Sequence, residues 1–343
     1  MNSAPLRRIA TEEAFSIPEV SAALQQVALG PSRNSDMQLV RRIYASKDTY
    51  YADFFRPLQD LGDTRLRDMD KNGVDMHVLS LTAPGVQLFD ADTATELARI
   101  ANDRLAEAIA RHPTRFAGLA AFAPHSPKRA VREMERAVRE LKLNGFIVNS
   151  HTNNEYLDDP KYWPILEAAE ALDRCIYIHP RGPSDGLAGP LLDYNLFAAQ
   201  WAYGVEVATH AVRLLVSGVL DRFPKLRICI GHMGEGVHFW LWRIDFMNAR
   251  AQTAGAPRLE LKPSEYFKRN FWITTSGQES HLALDYSVKA LGAERVLWAI
   301  DYPYQPTAPA VSFMDSAPLS AGDKALVYHR NAESLFHIAP APR

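Results

Sequence analysis

Cysteine is scarce: Cys175 and Cys229 are the only two in 343 residues. They form no CxxC and fall inside apolar, strand-like runs, so both read as buried, reduced core thiols, which fits a reducing compartment. One-sided charge is also missing. A formal net charge of −2 carries no basic footprint for nucleic acid. No uninterrupted apolar run approaches the roughly 20 residues of a membrane span. Met1–Arg8 lacks the apolar stretch of a secretory signal, so a cytoplasmic protein with no membrane partner is expected. No GxGxxG follows the first strand, and neither GxSxG nor a P-loop occurs, which removes the usual dinucleotide, serine-hydrolase and nucleotide-triphosphate signatures. Hydrophobic residues at 47% and charged residues at 23% are ordinary for a globular chain.

What is present is a rhythm of short apolar strand, turn and amphipathic helix. Candidate strands are Arg8–Thr11, Met76–Leu81, Phe116–Phe122, Gly145–Asn149, Cys175–Ile178, Leu226–Ile230, Trp272–Thr275 and Val296–Ile300. They are largely apolar rather than alternating, as parallel strands buried on both faces are. Between them, Thr93 with Glu96 resembles a capping box, and Ser126-Pro127 an N-cap with proline at the first helical position. Further helices are predicted over Pro160–Leu172, Val205–Phe223, Glu235–Arg250, His281–Leu291 and Gly322–Phe336. Eight strands alternating with helices predict an α/β fold, a (β/α)8 TIM barrel forming one domain over 1–343. Two segments break the rhythm, Ser16–Tyr51 after the first strand and Arg181–Gln200 after the fifth, and are expected to be loop insertions or lids over the active site.

Four stretches place acid–base or metal-ligand residues where such strands end: Thr11-Glu12-Glu13, Ile178-His179-Pro180, Gly231-His232-Met233-Gly234-Glu235 and Ile300-Asp301-Tyr302-Pro303. Each residue alone has a plain structural role. In a barrel, however, the ends of strands one, five and eight meet at one mouth. Glu12, His179 and Asp301 together make a mononuclear site for a divalent ion, with Mn²⁺ or Mg²⁺ favoured by the oxygen ligands and Zn²⁺ as the alternative. His232 and Glu235, three apart between glycines, are expected to face that site, with Glu235 fixing the His232 tautomer. Arg243, eight residues on along the same predicted helix, is a candidate anion anchor or a partner of Asp245. Ala14 stands where an HxH would need its second histidine, and no lysine ends strand four, so a binuclear hydrolase site is not expected.

With Leu81-Thr82-Ala83-Pro84-Gly85 and Asn149-Ser150-His151-Thr152, these motifs resemble the decarboxylase branch of the amidohydrolase superfamily, over about Arg8 to Phe336. That branch includes 5-carboxyvanillate, γ-resorcylate, 2,3-dihydroxybenzoate and aminocarboxymuconate-semialdehyde decarboxylases. The resemblance implies non-oxidative loss of CO₂ from an ortho-hydroxylated aromatic acid, one divalent metal ion (Mn²⁺, with Zn²⁺ the alternative) and no organic cofactor. It implies Glu12, His179 and Asp301 as metal ligands and Asp301 as proton donor to ring carbon, with His232 and Glu235 beside it. Thr82, Arg243, Tyr304 and Arg181 are implied on the substrate side. The substrate stays open, because Asp301-Tyr302-Pro303-Tyr304-Gln305 is similar to the carboxyvanillate enzymes and His179-Pro180-Arg181 to the resorcylate enzymes. The rival within the superfamily is a metal-dependent hydrolase or hydratase of a lactone, amide or ring-cleavage product. A homodimer or homotetramer is expected by the same analogy, with the apolar Leu191–Phe197 stretch in support.

Overall fold

Eight parallel strands run in sequential order around one sheet: β1 (Ile9–Phe15), β2 (Met76–Leu81), β3 (Phe116–Ala121), β4 (Gly145–Asn149), β5 (Ile176–His179), β6 (Ile228–Ile230), β7 (Phe271–Thr274) and β8 (Val296–Leu297). The computed structural model of the protein describes residues 6–30, 35–45 and 49–340. Helices intervene between successive strands, giving the predicted (β/α)8 barrel. Strand residues are buried almost without exception, which is why the runs are apolar rather than alternating. Among the described residues, no helix is long and apolar enough to cross a membrane.

The ring closes between β8 and β1 by an unusual device. Thr11 and Ala14 donate backbone hydrogen bonds to the carbonyls of Trp298 (3.1 Å) and Tyr302 (2.8 Å). Between those two contacts the Glu13 carboxylate accepts from the Ile300 N–H (3.0 Å) and the Tyr302 N–H (2.9 Å). A side chain thus replaces part of the backbone ladder, and β8 is only two residues long where the apolar run predicts five. Hydrogen bonds to a charged acceptor contribute about 1.5–3 kcal/mol each. Burial nevertheless pushes Glu13 up to about 7, against the pull of those two N–H groups and of Arg65. In β1 the register shifts between Ala10 and Glu13, and the strand continues to Phe15, four residues past its predicted end. Glu12 therefore lies within the strand instead of closing it.

Ser16–Tyr51 is not the predicted loop. It holds helices Pro18–Ala28 and Ser35–Ala45 and the start of Thr49–Gln59. Val20, Leu24 and Ala28 recur at helical spacing and are buried, together with Met37 and Val40. Arg181–Gln200 does remain irregular, with only single helical turns such as Asp185–Ala188. The N-cap of the helix between β2 and β3 also differs from expectation: the Ala91–Arg111 helix is capped by Asp90, which accepts from Asp92 and Thr93 N–H, not by Thr93. The Val205–Phe223 prediction is split into Ala202–Val216 and Val219–Arg222 by Gly218 at φ 84°. The His281–Leu291 helix stands as predicted.

Candidate metal centre and active site

Glu12 and Glu13 are neighbours on a strand, so their side chains leave on opposite faces. Glu13 enters the barrel wall, and Glu12 enters the barrel mouth. There the hydroxyls of Tyr177, Ser276 and Thr274 (2.8 Å for the last) all donate to Glu12 Oε2. Its other oxygen, Oε1, is buried and accepts no hydrogen bond. An orphaned buried acceptor costs about 1–3 kcal/mol unless something else satisfies it. A Cβ on Gly231 would stand 2.8 Å from both carboxylate oxygens, so only glycine lets β6 pass this close.

Oε1 is not short of neighbours. The Nε2 atoms of His179 and His232 each lie 3.6 Å from it, too far for a hydrogen bond and suited to sharing something between them. One ligand atom each from Glu12, His179 and Asp301 fall within 4.8 Å of one another. His179 Nδ1 faces two acceptors, Pro180 O (2.8 Å) and Asn149 Oδ1 (3.1 Å), which fixes the proton on Nδ1 and leaves the Nε2 lone pair directed into the cluster. Two carboxylates and a free imidazole lone pair, one carboxylate oxygen being otherwise orphaned, form a donor set that fits a divalent cation.

The charges around this point pull in different directions. Burial would push Glu12 up, but the His232 and His179 charges and the Ser276 and Tyr177 hydroxyls outweigh it and hold Glu12 below its ordinary value. Burial, then the charge of Glu12, pushes Asp301 well above the carboxylate range, so a proton can reside on it; a cation in the cluster acts the other way. Burial opposes charge on His232, yet Glu235 and Glu12 prevail and push it up to about 10. His232 Nδ1 is bonded to Glu235 Oε1 at 2.6 Å. Backbone at these positions is strained: His232, Met233, Glu235 and Asp301 have φ of 49°, 52°, 50° and 75°. Non-glycine residues in that region cost about 1–3 kcal/mol each, and such strain concentrates at functional sites.

Glu235 therefore sits in a left-handed turn, not on the predicted helix, which begins at Val237. Arg243 lies within that helix, and the two still line the same open cleft of about 860 Å³, with His232, Asp301, Trp201 and Trp240. Asp245 bonds Ser264 instead of Arg243, and among the described residues the Arg243 guanidinium has no ion-pair partner. Thr82 Oγ1 and Tyr304 Oη are 2.7 Å apart, bringing the end of β2 against the segment after Asp301. Arg181 is buried away from the cleft lining: its Nε and Nη2 donate to Asp36 Oδ2 and its Nη1 to the His151 carbonyl, so it ties the Ser35–Ala45 helix to the loop after β4, a structural role in place of the expected substrate contact.

A family model for amidohydrolases matches residues 40–338. The chain belongs to the amidohydrolase family. This amidohydrolase is 39% identical to a γ-resorcylate decarboxylase of Polaromonas sp., over 82% of the chain and 89% of that relative. Its fold superposes on the crystal structure of 5-carboxyvanillate decarboxylase from Sphingomonas paucimobilis with a TM-score of 0.96 and 54% identity, covering 98% of this chain and all (100%) of that one. A second 5-carboxyvanillate decarboxylase, from Novosphingobium aromaticivorans, matches at TM-score 0.94 and 37% identity over 97% of this chain and 96% of its own. It was crystallised with manganese and 4-hydroxy-3-methoxy-5-nitrobenzoic acid.

Three residues of this amidohydrolase's site were not singled out from sequence, Tyr177, Thr274 and Ser276, which hold Glu12, and Asn149, which meets His179, stood in a motif without a role. Part of the signal was there. Tyr177 and His179 lie two apart on β5, and so do Thr274 and Ser276 around the end of β7, hence each pair shares a face.

Proposed function

We propose that the protein is a metal-dependent, non-oxidative decarboxylase of hydroxylated aromatic acids, with 5-carboxyvanillate as the substrate class. The observation that carries this is the Glu12–His179–Asp301 cluster, with an orphaned carboxylate oxygen, opening on the cleft that Arg243 also lines. Relatives named as decarboxylases of such acids support it, and manganese in a related enzyme supports Mn²⁺ as the ion. Glu12, His179 and Asp301 would hold the ion, which when bound supplies positive charge against the substrate carboxylate and its ortho phenolic oxygen.

Loss of CO₂ directly from an arene would leave an in-plane carbanion that the ring cannot stabilise. Protonation of the carboxylate-bearing carbon avoids this. Asp301 delivers the proton, a C–H bond forms, and the phenolic oxygen supports the dearomatised ring. The bond to the carboxylate carbon then breaks, its electron pair returns to the ring, and CO₂ leaves. His232, held by Glu235, manages the phenolic proton at Nε2. Thr82 and Tyr304, bonded to each other, orient the substrate from the β2 side.

Arg243 is assigned to the second carboxylate of a dicarboxylated phenol. Arg243→Leu is expected to raise KM for 5-carboxyvanillate about 10–100-fold, the worth of one charge-assisted contact, with a much smaller effect on γ-resorcylate, which has a single carboxylate. Equal effects on both substrates, or none, would remove Arg243 from this role.

The protein is further proposed to work as a homodimer or homotetramer in a reducing compartment such as the cytoplasm. In the Leu191–Phe197 stretch Leu191 and Phe197 are buried, while Leu192 and Tyr194 are exposed. Further support comes from the Val237–Thr253 helix, which exposes Phe239, Trp242 (75%) and Phe246, beside Leu282 (84%) and Tyr286 of the neighbouring helix. An apolar face of this kind suits a second copy of the chain. The buried free thiols support the compartment. Analytical ultracentrifugation is expected to show an oligomer that Trp242→Asp with Phe246→Asp dissociates; a monomeric wild type would contradict it.

A further inference from the structure

The β2 exit beyond Thr82, Ala83–Gln87, and the Asn149–Thr152 motif after β4 meet behind His179. Asn149 is the last residue of β4 and is paired in register with His179. Its Oδ1 stands 3.1 Å from His179 Nδ1. Because Pro180 O, which can only accept, also faces that nitrogen at 2.8 Å, Nδ1 carries the hydrogen and the Asn149 atom facing it must be the oxygen. The Asn149 backbone is in turn held on both sides. Gln87, buried, accepts from the Asn149 N–H at 2.7 Å and donates to the Asn149 carbonyl at 2.8 Å. The same Gln87 amide also reaches His151 O (2.9 Å) and Thr152 Oγ1 (3.1 Å). It thereby holds the β4 exit through Ser150, whose φ of 39° is strained. Gly85, at φ 62°, packs so closely that a Cβ there would stand 2.3 Å from Asn149 Nδ2.

We propose that Asn149, held by Gln87 and the Gly85 turn, is a positioning residue that, together with the Pro180 carbonyl, holds the tautomer and ring angle of His179 and so tunes the affinity of the metal centre. The proposal rests on the reading of His179 as a ligand. Groups that orient a metal-bound imidazole typically change metal affinity about 10–100-fold when removed. Gln87 acts one step further out and transmits the geometry of the β2 loop, whose other end carries Thr82, to the ligand.

The test is Mn²⁺ binding to metal-stripped protein, followed by calorimetry and by the electron paramagnetic resonance of free Mn²⁺. Asn149→Leu is expected to weaken binding about 10–100-fold. Asn149→Asp restores an acceptor and is expected to bind within a few-fold of wild type, about 3-fold or less, or more tightly. Gln87→Met is expected to weaken binding in the same direction by less. Should Asn149→Leu not fold, Asn149→Ser, which withdraws the acceptor while keeping a polar group, carries the same expectation. His179→Ala serves as the reference. If it abolishes Mn²⁺ binding while Asn149→Leu and Asn149→Ser bind normally, the Pro180 carbonyl alone orients the ring and the positioning role is overturned. If His179→Ala itself binds normally, the ligand assignment fails instead.

Discussion

Asp301→Asn is expected to lose decarboxylation by about 10²–10⁴-fold in kcat, the range typical of a removed general acid. The amide is nearly isosteric and can still offer an oxygen to a cation, but it carries no transferable proton. Burial and the Glu12 charge push the native carboxyl upward, the direction a proton donor needs, against the opposing pull of a bound cation. Weaker metal binding would mimic that loss, so turnover is to be measured at saturating Mn²⁺ with the metal content determined. Binding of a nitrophenol analogue should survive, because it reads the assembled site without requiring proton transfer. Near-normal turnover of Asp301→Asn would remove Asp301 from the role of proton donor.

Glu12→Gln is expected to abolish the metal centre while leaving the barrel folded. Its Oε2 is held by three hydroxyls that can rotate to meet an amide. Its Oε1, buried and unpartnered, is the atom with no role except toward a cation. Mn²⁺ at about 100 times its Kd stabilises a folded protein by about 2.7 kcal/mol. Wild type should therefore show a metal-dependent rise in Tm that Glu12→Gln lacks, while the two metal-free proteins melt at similar temperatures. A Glu12→Gln protein that keeps the metal-dependent rise would show that the cation sits elsewhere.

The barrel was legible because parallel strands buried on both faces leave uninterrupted apolar runs, and seven of the eight strands are within reach of that signal. β1 is the exception that matters most. Two charged residues end its apolar run at Thr11, yet the strand continues through them because Glu12 is satisfied by hydroxyls and Glu13 by the backbone of the β8 segment. Those partners lie more than 160 residues away in the chain, and no local pattern announces them. The same substitution of side chain for ladder shortens β8. The candidate ligands were legible for a different reason: each follows an apolar run that points to the mouth, although only His179 ends its strand, Glu12 lying inside β1 and Asp301 beyond the short β8. Arg181 was placed on the substrate side by the resemblance of His179-Pro180-Arg181 to the resorcylate enzymes, and its partners are out of reach of any local pattern. Two residues beyond a strand end the chain has turned, and Arg181 finds Asp36 instead. Glu235 was placed on a helix because nothing in Met233-Gly234-Glu235-Gly236 except its glycines hints at a run of positive φ.

The central claim is tested most directly by incubating the purified protein with 5-carboxyvanillate, γ-resorcylate, 2,3-dihydroxybenzoate, vanillate and salicylate, and following CO₂ release and ring absorbance. CO₂ release that a chelator abolishes and Mn²⁺ restores, fastest with 5-carboxyvanillate, is the expected result. Metal-loaded protein that releases no CO₂ from any of these acids, and instead consumes water on a lactone or amide, would contradict it.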